Sequence, residues 1–463
     1  MSDIGVKYWD KYAVTETFQL LKIPWEWYDA SKEYDVVIAK KEDVPDYHGN
    51  IIDLTDIFKN IREQLNEGQM NLHNPSVERW IDDLRTTLKQ YTTLVEIPPS
   101  PWGYPYMVAL THDVDSISVR QSSFKSALVT AARCFLSFEM IAGMKILLAK
   151  IGMAEDPWLL FKKWRELEGK LGVRSTFYII PPFTRRCVRG YHQYREIYYT
   201  ADQKELDALR DGGWEVGVHS MNWDDPQAVI KEKEHIPGGV GNRTHWLLHD
   251  RDSWGILDAA GYEYDTTFGY DDDVGYRAGT TQVYQPENTT NLLELPLHIQ
   301  DMGLFGKSCW ALNKDEWIKI PCLHMTEKTA RDYLQQFFLH MKSFGGVITI
   351  LWHYEDLTAP RTWMIGTYLH LVDIVKKDGA WITTAKNVVN WFRIRRQTKM
   401  GYSMDGKKIT ISINQPPGPE YIPEQKVRVH ISPSLIEHID GEFVNGDNSV
   451  DILCKPEITV VFK

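Results

Sequence analysis

The sequence predicts an α/β protein whose centre is a (β/α) barrel, with a small α/β region before it and a β-sandwich after it. Three observations predict this. Between about residues 101 and 397, short apolar runs alternate with amphipathic helical patterns, which favours parallel strands joined by helices. Several of those runs end in Asp or His, and in parallel barrels chemistry sits at the strands' C-terminal ends. From residue 398 the apolar spacing changes to period two between Pro- and Gly-rich turns, the pattern of antiparallel strands. A chain of 463 residues also exceeds one ordinary domain.

Residues 1–100 read as the small α/β domain. Residues 34–39 form a buried strand, and residues 56–72 and 77–94 show helical spacing, with Asn74-Pro75-Ser76 as stop and cap. No chemistry is visible there. The proline-rich run 98–105 reads as a stiff linker. In the central region, residues 101–397, strands are expected at 107–111, 175–180, 215–219, 292–297, 347–352 and 381–384, with helices at 157–171, 204–211 and 329–343. Residues 126–148 are the most hydrophobic stretch, but Arg133, Glu139 and Lys145 interrupt it, which argues against a membrane-spanning helix. It reads first as an amphipathic helix pair covering the site, and second as a pair resting on a membrane surface. Residues 398–463 read as a β-sandwich with strands at 408–414, 426–432, 449–454 and 457–462; a cap for the barrel is the expected role, ahead of carbohydrate binding.

Composition narrows the function classes. With 43% hydrophobic and 25% charged residues, the chain is soluble and globular in type. A net charge of −11 argues against a nucleic-acid partner. The five cysteines are scattered without a Cys-x-x-Cys pair, which argues against a disulfide framework or thiolate zinc site and for a reducing compartment. The first residues carry no basic stretch followed by an apolar run, so a cytoplasmic location is expected. The 17 Trp and 23 Tyr suit stacking on sugar rings, and equally suit a large core.

The chemistry-bearing residues come at run ends. In Leu110-Thr-His-Asp-Val-Asp-Ser116, Asp113 and Asp115 are two apart, so both face one pocket if extended geometry continues. One carboxylate can then hold a metal while the other takes a proton from its water. His219 and His353 each follow an apolar run, and Gly238-Gly-Val-Gly-Asn-Arg-Thr-His-Trp246 supplies Arg243 and His245 without a Walker pattern. Tyr264-Asp-Thr-Thr267 supplies Asp265, and Gly275-Tyr-Arg-Ala-Gly279 supplies Arg277. Each piece alone has a bland reading as a solvated or structural strand end. The set of Asp and His at several run ends carries more weight.

In order, these motifs resemble the NodB-type polysaccharide deacetylases, in a divergent branch with a Thr-His-Asp-Val-Asp first motif. Thr111–Asp115 resembles the family's Thr-Phe-Asp-Asp-Gly, Trp214–His219 its Glu-Ile-Gly-x-His, Arg243–Trp246 its Arg-x-Pro-Tyr, and Leu351-Trp-His353 its closing histidine motif. The resemblance implies a deformed (β/α) barrel that removes an acetyl group from an N-acetylated sugar, with a divalent metal, expected to be Zn²⁺. The sequence departs from the pattern at two ligand positions. Val114 falls on the family's metal-binding Asp, and Trp223 stands where a second His is usual. Asp115 and His245 are the expected substitutes, with Asn222, Asp224 and Asp225 as others. The expected site is thus Asp115, His219 and His245 on the metal, Asp113 as base oriented by a bidentate Arg243, and His353 as acid. Asp265 is expected to orient His353 or another catalytic group, Arg277 to meet an anionic part of the substrate, and Trp246 and Trp352 to stack on sugar. The implied partner is a carbohydrate: an acetylated sugar, or a lipid- or nucleotide-linked glycan precursor. Two other classes stay open: a degenerate, non-catalytic carbohydrate-binding or scaffold protein, and a cytosolic amidohydrolase of small non-sugar amides.

Overall fold

The computed structural model describes residues 3–69, 73–182, 201–313 and 316–463, with no side-chain description for 308–319. Its centre is a nine-stranded sheet in which every named pair of strands is parallel. Across the sheet run Leu293–Glu294, Tyr264–Asp265, Gly241–Thr244, Glu215–Ser220, Thr176–Ile179, Met107–Val114, Val347–Leu351 and Ile299–Gln300. Trp381–Thr383 pairs with the first half of Met107–Val114, and Thr176–Ile179 with its second half. The two edge strands, Leu293–Glu294 and Ile299–Gln300, are joined only by residues 295–298. Such a link spans at most about 17 Å, so the sheet curls until its edges approach. This is the mixed α/β, barrel-like centre that the residue pattern predicts.

Local differences from that pattern have physical causes. Met107–Val114 is buried throughout and outruns its apolar stretch, because Thr111 to Val114 gain a partner in Thr176–Ile179. Gly241–Thr244 is a strand of poor intrinsic β preference, imposed by the strands on either side of it. Gly241 is required there by close approach, since a Cβ would collide with the Tyr264 ring. The strand expected over 292–297 shortens to Leu293–Glu294, and a further strand, Ile299–Gln300, lies beyond it.

A four-stranded parallel sheet lies at the start of the chain, in the order Glu26–Trp27, Ile4–Val6, Val36–Ile38, Ile51–Ile52. Helices Thr55–Glu67 and Ser76–Leu88 follow it. The last residues of the helix expected over 56–72, and Cys187, lie outside the described residues. At the other end, two four-stranded sheets pack around Ile409, Ile411, Val427, Ile452, Ile458 and Val460. One of them takes a strand from far upstream: Val95–Glu96 pairs antiparallel with Lys426–Val429. Buried Glu96 holds Arg85 at 2.9 Å and His430 at 2.9 Å across that junction.

Candidate active site

Because the strands of the curled sheet all run one way, their C-terminal ends share a rim, and the charged side chains gather there. Along Met107–Val114 the side chains alternate. His112 faces the covering helices, against the rings of Trp164 and Tyr368. Asp113 faces the opposite way, where Arg243 Nη1 donates to it at 3.1 Å and to Thr111 at 2.8 Å. Asp115 follows the strand end, and three imidazoles surround its carboxylate. His219 Nε2 is 3.1 Å and His245 Nε2 3.5 Å from Oδ1, while His353 Nε2 is 3.8 Å from Oδ2. One ligand atom each from Asp115, His219 and His245 lies within 4.8 Å of the others, the only such group of three among the described residues.

The donor chemistry of this cluster fits a cation. Arg243's carbonyl oxygen accepts from His219 Nδ1 at 2.8 Å. That fixes the proton on Nδ1, so a neutral ring presents a lone pair at Nε2. The lone pair points at Asp115 Oδ1, a buried oxygen with no hydrogen-bond partner among the described residues. Two acceptors at 3.1 Å repel unless a proton or a metal ion lies between them. A backbone carbonyl holding the far side of the imidazole is also how metal-binding histidines are oriented.

The electrostatics agree. Burial alone would raise the Asp115 pKa, but His245, His219 and His353 outweigh it and hold the carboxyl well below its usual range. Burial works against a charged His219, yet Asp113 and Asp115 raise its pKa. Burial likewise opposes a charged His353, and Asp301, with help from Asp115, pushes it up to about 10. Asp301 accepts from His353 Nδ1 at 2.7 Å and from its backbone N–H at 2.8 Å. The His353 ring is therefore fixed in direction and protonated.

Several expectations change. Asp301, not Asp265, orients His353. Asp265 instead accepts from Asn242 and Thr267 in a separate buried network. Arg243 meets Asp113 through one nitrogen, not two, because its Nε and Nη2 donate to Thr266. Trp352 is fully buried, packed against Tyr368 and Phe305, so it has no face to offer a sugar. Trp246 is half-buried and stacks on His245 at 4.4 Å. Its φ of 57° and the 50° of Leu247 are left-handed values that non-glycine residues rarely adopt. Arg277 lies over Phe268 and donates to the Gly269 carbonyl. Asn222 donates to Glu232, and Asp225 caps the helix Pro226–Glu234. Glu355 carries no mark in the sequence pattern. Its carboxyl accepts from the Ser116 N–H at 2.7 Å, and burial, then the Asp115 charge, push its pKa up to about 8.

No protein-family model matches this chain, and no curated protein does. Among solved structures, it is similar to a provisionally assigned polysaccharide deacetylase from Mycobacterium smegmatis, with a TM-score of 0.39 and 18% identity over 64% of this chain and 95% of that one. A provisionally assigned polysaccharide deacetylase involved in O-antigen biosynthesis, from Bordetella bronchiseptica, gives 0.29 and 13% over 58% and 91%. A GH57-type branching enzyme from Pyrococcus horikoshii gives 0.34 and 11% over 61% and 69%.

Proposed function

We propose that this chain is a metal-dependent carbohydrate N-deacetylase, releasing acetate and a free amine from an N-acetylated sugar. One observation carries the reading. Asp115, His219 and His245 converge at the strand ends, with a carboxylate (Asp113) on one side and a carboxylate-held imidazolium (His353–Asp301) on the other. Two imidazoles and one carboxylate form an N/O ligand set that suits catalytic zinc. Bound there, the ion would supply a lowered water pKa and polarisation of the acyl carbonyl.

The chain's own residues do the rest. Asp113, aimed by Arg243, takes the proton of the attacking water. Water oxygen bonds to the carbonyl carbon, and the C–N bond then breaks. An amide nitrogen leaves poorly as an anion, so it needs a proton as it departs, and His353 delivers one from Nε2. Asp301 stabilises the charged imidazole before transfer and fixes its direction. Trp246, Arg277 and the neutral carboxyl of Glu355 are proposed to shape the sugar and acyl subsites.

The test is metal analysis together with acetate release from N-acetylated amino sugars. About one tightly held divalent ion per chain, and turnover that a chelator abolishes, are expected. A chain that holds no ion yet still binds sugar would instead be a non-catalytic carbohydrate binder.

A further inference from the structure

Helices Phe124–Leu136 and Met140–Lys150 form a hairpin that is apolar on two sides. Its inner side is closed by Ala127, Ala131, Cys134, Ile146 and Ala149, packed with Trp158. Gly143 brings the helices together, since a Cβ there would strike the Phe135 ring. The outer side should then be polar in a water-facing helix pair. It is not. Leu136 is 81% exposed, Phe138 92%, Ile141 75% and Met153 73%, with Phe124, Leu128, Met140 and Met144 also exposed.

The charges at this face are mostly cationic. Residues 117–156 hold five cations (Arg120, Lys125, Arg133, Lys145, Lys150) and three anions (Glu139, Glu155, Asp156), within a chain of net charge −11; Asp156 is turned to Ser118 and the backbone of Val119 and Arg120. Lys125, Arg133 and Lys145 are exposed and make no ion pair among the described residues. Between the hairpin and the segment after His353 lies a groove of about 550 Å³, walled by Phe138, Ile141 and Lys145 on one side and Leu357, Ala359 and Thr362 on the other.

We infer that this hairpin is a docking surface for an anionic lipid bilayer. Large apolar side chains on an amphipathic helix pair enter the acyl boundary, and exposed Lys125, Arg133 and Lys145 meet anionic headgroups. A bilayer fits better than a second copy of this chain, because pairing two such faces would bring two sets of exposed Lys and Arg together. It also fits better than burial within the fold, since the inner side already has its core. The groove joins the docked face to Leu357, Ala359 and Thr362, in the segment that follows His353. Docking does not depend on the deacetylase reading, and its test needs no turnover.

Vesicle flotation with the full chain decides the matter. Wild type should float with phosphatidylcholine vesicles containing phosphatidylglycerol and bind pure phosphatidylcholine more weakly. Phe138→Glu with Ile141→Glu should weaken binding by more than about tenfold, since two exposed side chains lose their apolar contact. Circular dichroism should be unchanged, because neither residue supports the core. Lys125→Ser and Lys145→Ser should each weaken anionic binding by about fivefold and leave binding to pure phosphatidylcholine as it was. Wild type that stays below the anionic vesicles, or a Phe138→Glu/Ile141→Glu variant that floats like wild type, overturns the inference. So does a wild-type dimer that this double variant converts to a monomer without any vesicle binding.

Discussion

Two histidine–carboxylate clusters sit on opposite sides of one strand, and they differ in how completely their polar atoms are paired. His112 and Glu168 are fully buried. The Trp352 carbonyl takes His112 Nδ1 at 2.8 Å, and Glu168 takes Nε2 at 2.9 Å. Glu168 also accepts from Ser175, Trp214 and Tyr368, so neither residue has a free polar atom. Asp115, one turn of the pleat away, is partly exposed and keeps an oxygen without a partner, facing two imidazoles. Closed pairing makes a strut that braces the barrel wall, whereas open pairing leaves valences for a ligand.

The comparison can be broken most sharply at the open cluster. His219→Ala or Asp115→Asn should lose the bound ion and bring acetate release to background, while the melting temperature of the chelated protein holds. Full metal retention by His219→Ala would remove that imidazole from the centre. Next in size, His353→Ala should keep the ion and lower turnover by about 10²- to 10⁴-fold. Asp301→Asn sharpens this with a pH profile. Asp301 raises the His353 pKa, to about 10 in the intact site. Its removal lets burial pull that pKa down, so the acid form is lost sooner and the alkaline limb of activity moves to lower pH. Arg243→Lys should cost about 10- to 100-fold in turnover, because a lysine cannot serve Asp113, Thr111 and Thr266 together. Smallest in its effect on chemistry is His112→Ala. It should lower unfolding stability by about 3 to 5 kcal/mol in urea titrations, as expected when one partner of a buried pair is removed. Turnover per folded molecule should not change. A large loss of turnover there would erase the distinction between the two clusters.

Much of the rim is legible in the sequence because strand alternation is local. Asp113 and Asp115 two apart, His219 and His353 each closing an apolar run, and His245 beyond Arg243 all announce themselves within a few residues. What the pattern hides is long-range. Asp301 follows a two-residue strand, Ile299–Gln300, too short to read, although His298-Ile-Gln-Asp301 does end in an acid. Glu168 sits on the apolar face of helix Phe161–Leu171, and only the fold reveals that His112 awaits it. Trp352 looks like a sugar platform beside His353, but strand alternation turns it inward. The hairpin's apolar sequence is plain, whereas the small residues that already fill its inner side emerge only in three dimensions.

The pairing of Val95–Glu96 with Lys426–Val429 stitches an early segment to a late one. The terminal sandwich cannot be completed until its final strands have been synthesised and have captured one made long before. Residues 398–463 expressed by themselves would carry Lys426–Val429 as a bare edge, a template for self-association. Dissection of this protein therefore has to cut upstream of Leu94, and a tag or break inserted between residues 94 and 97 would unravel the far end of the chain.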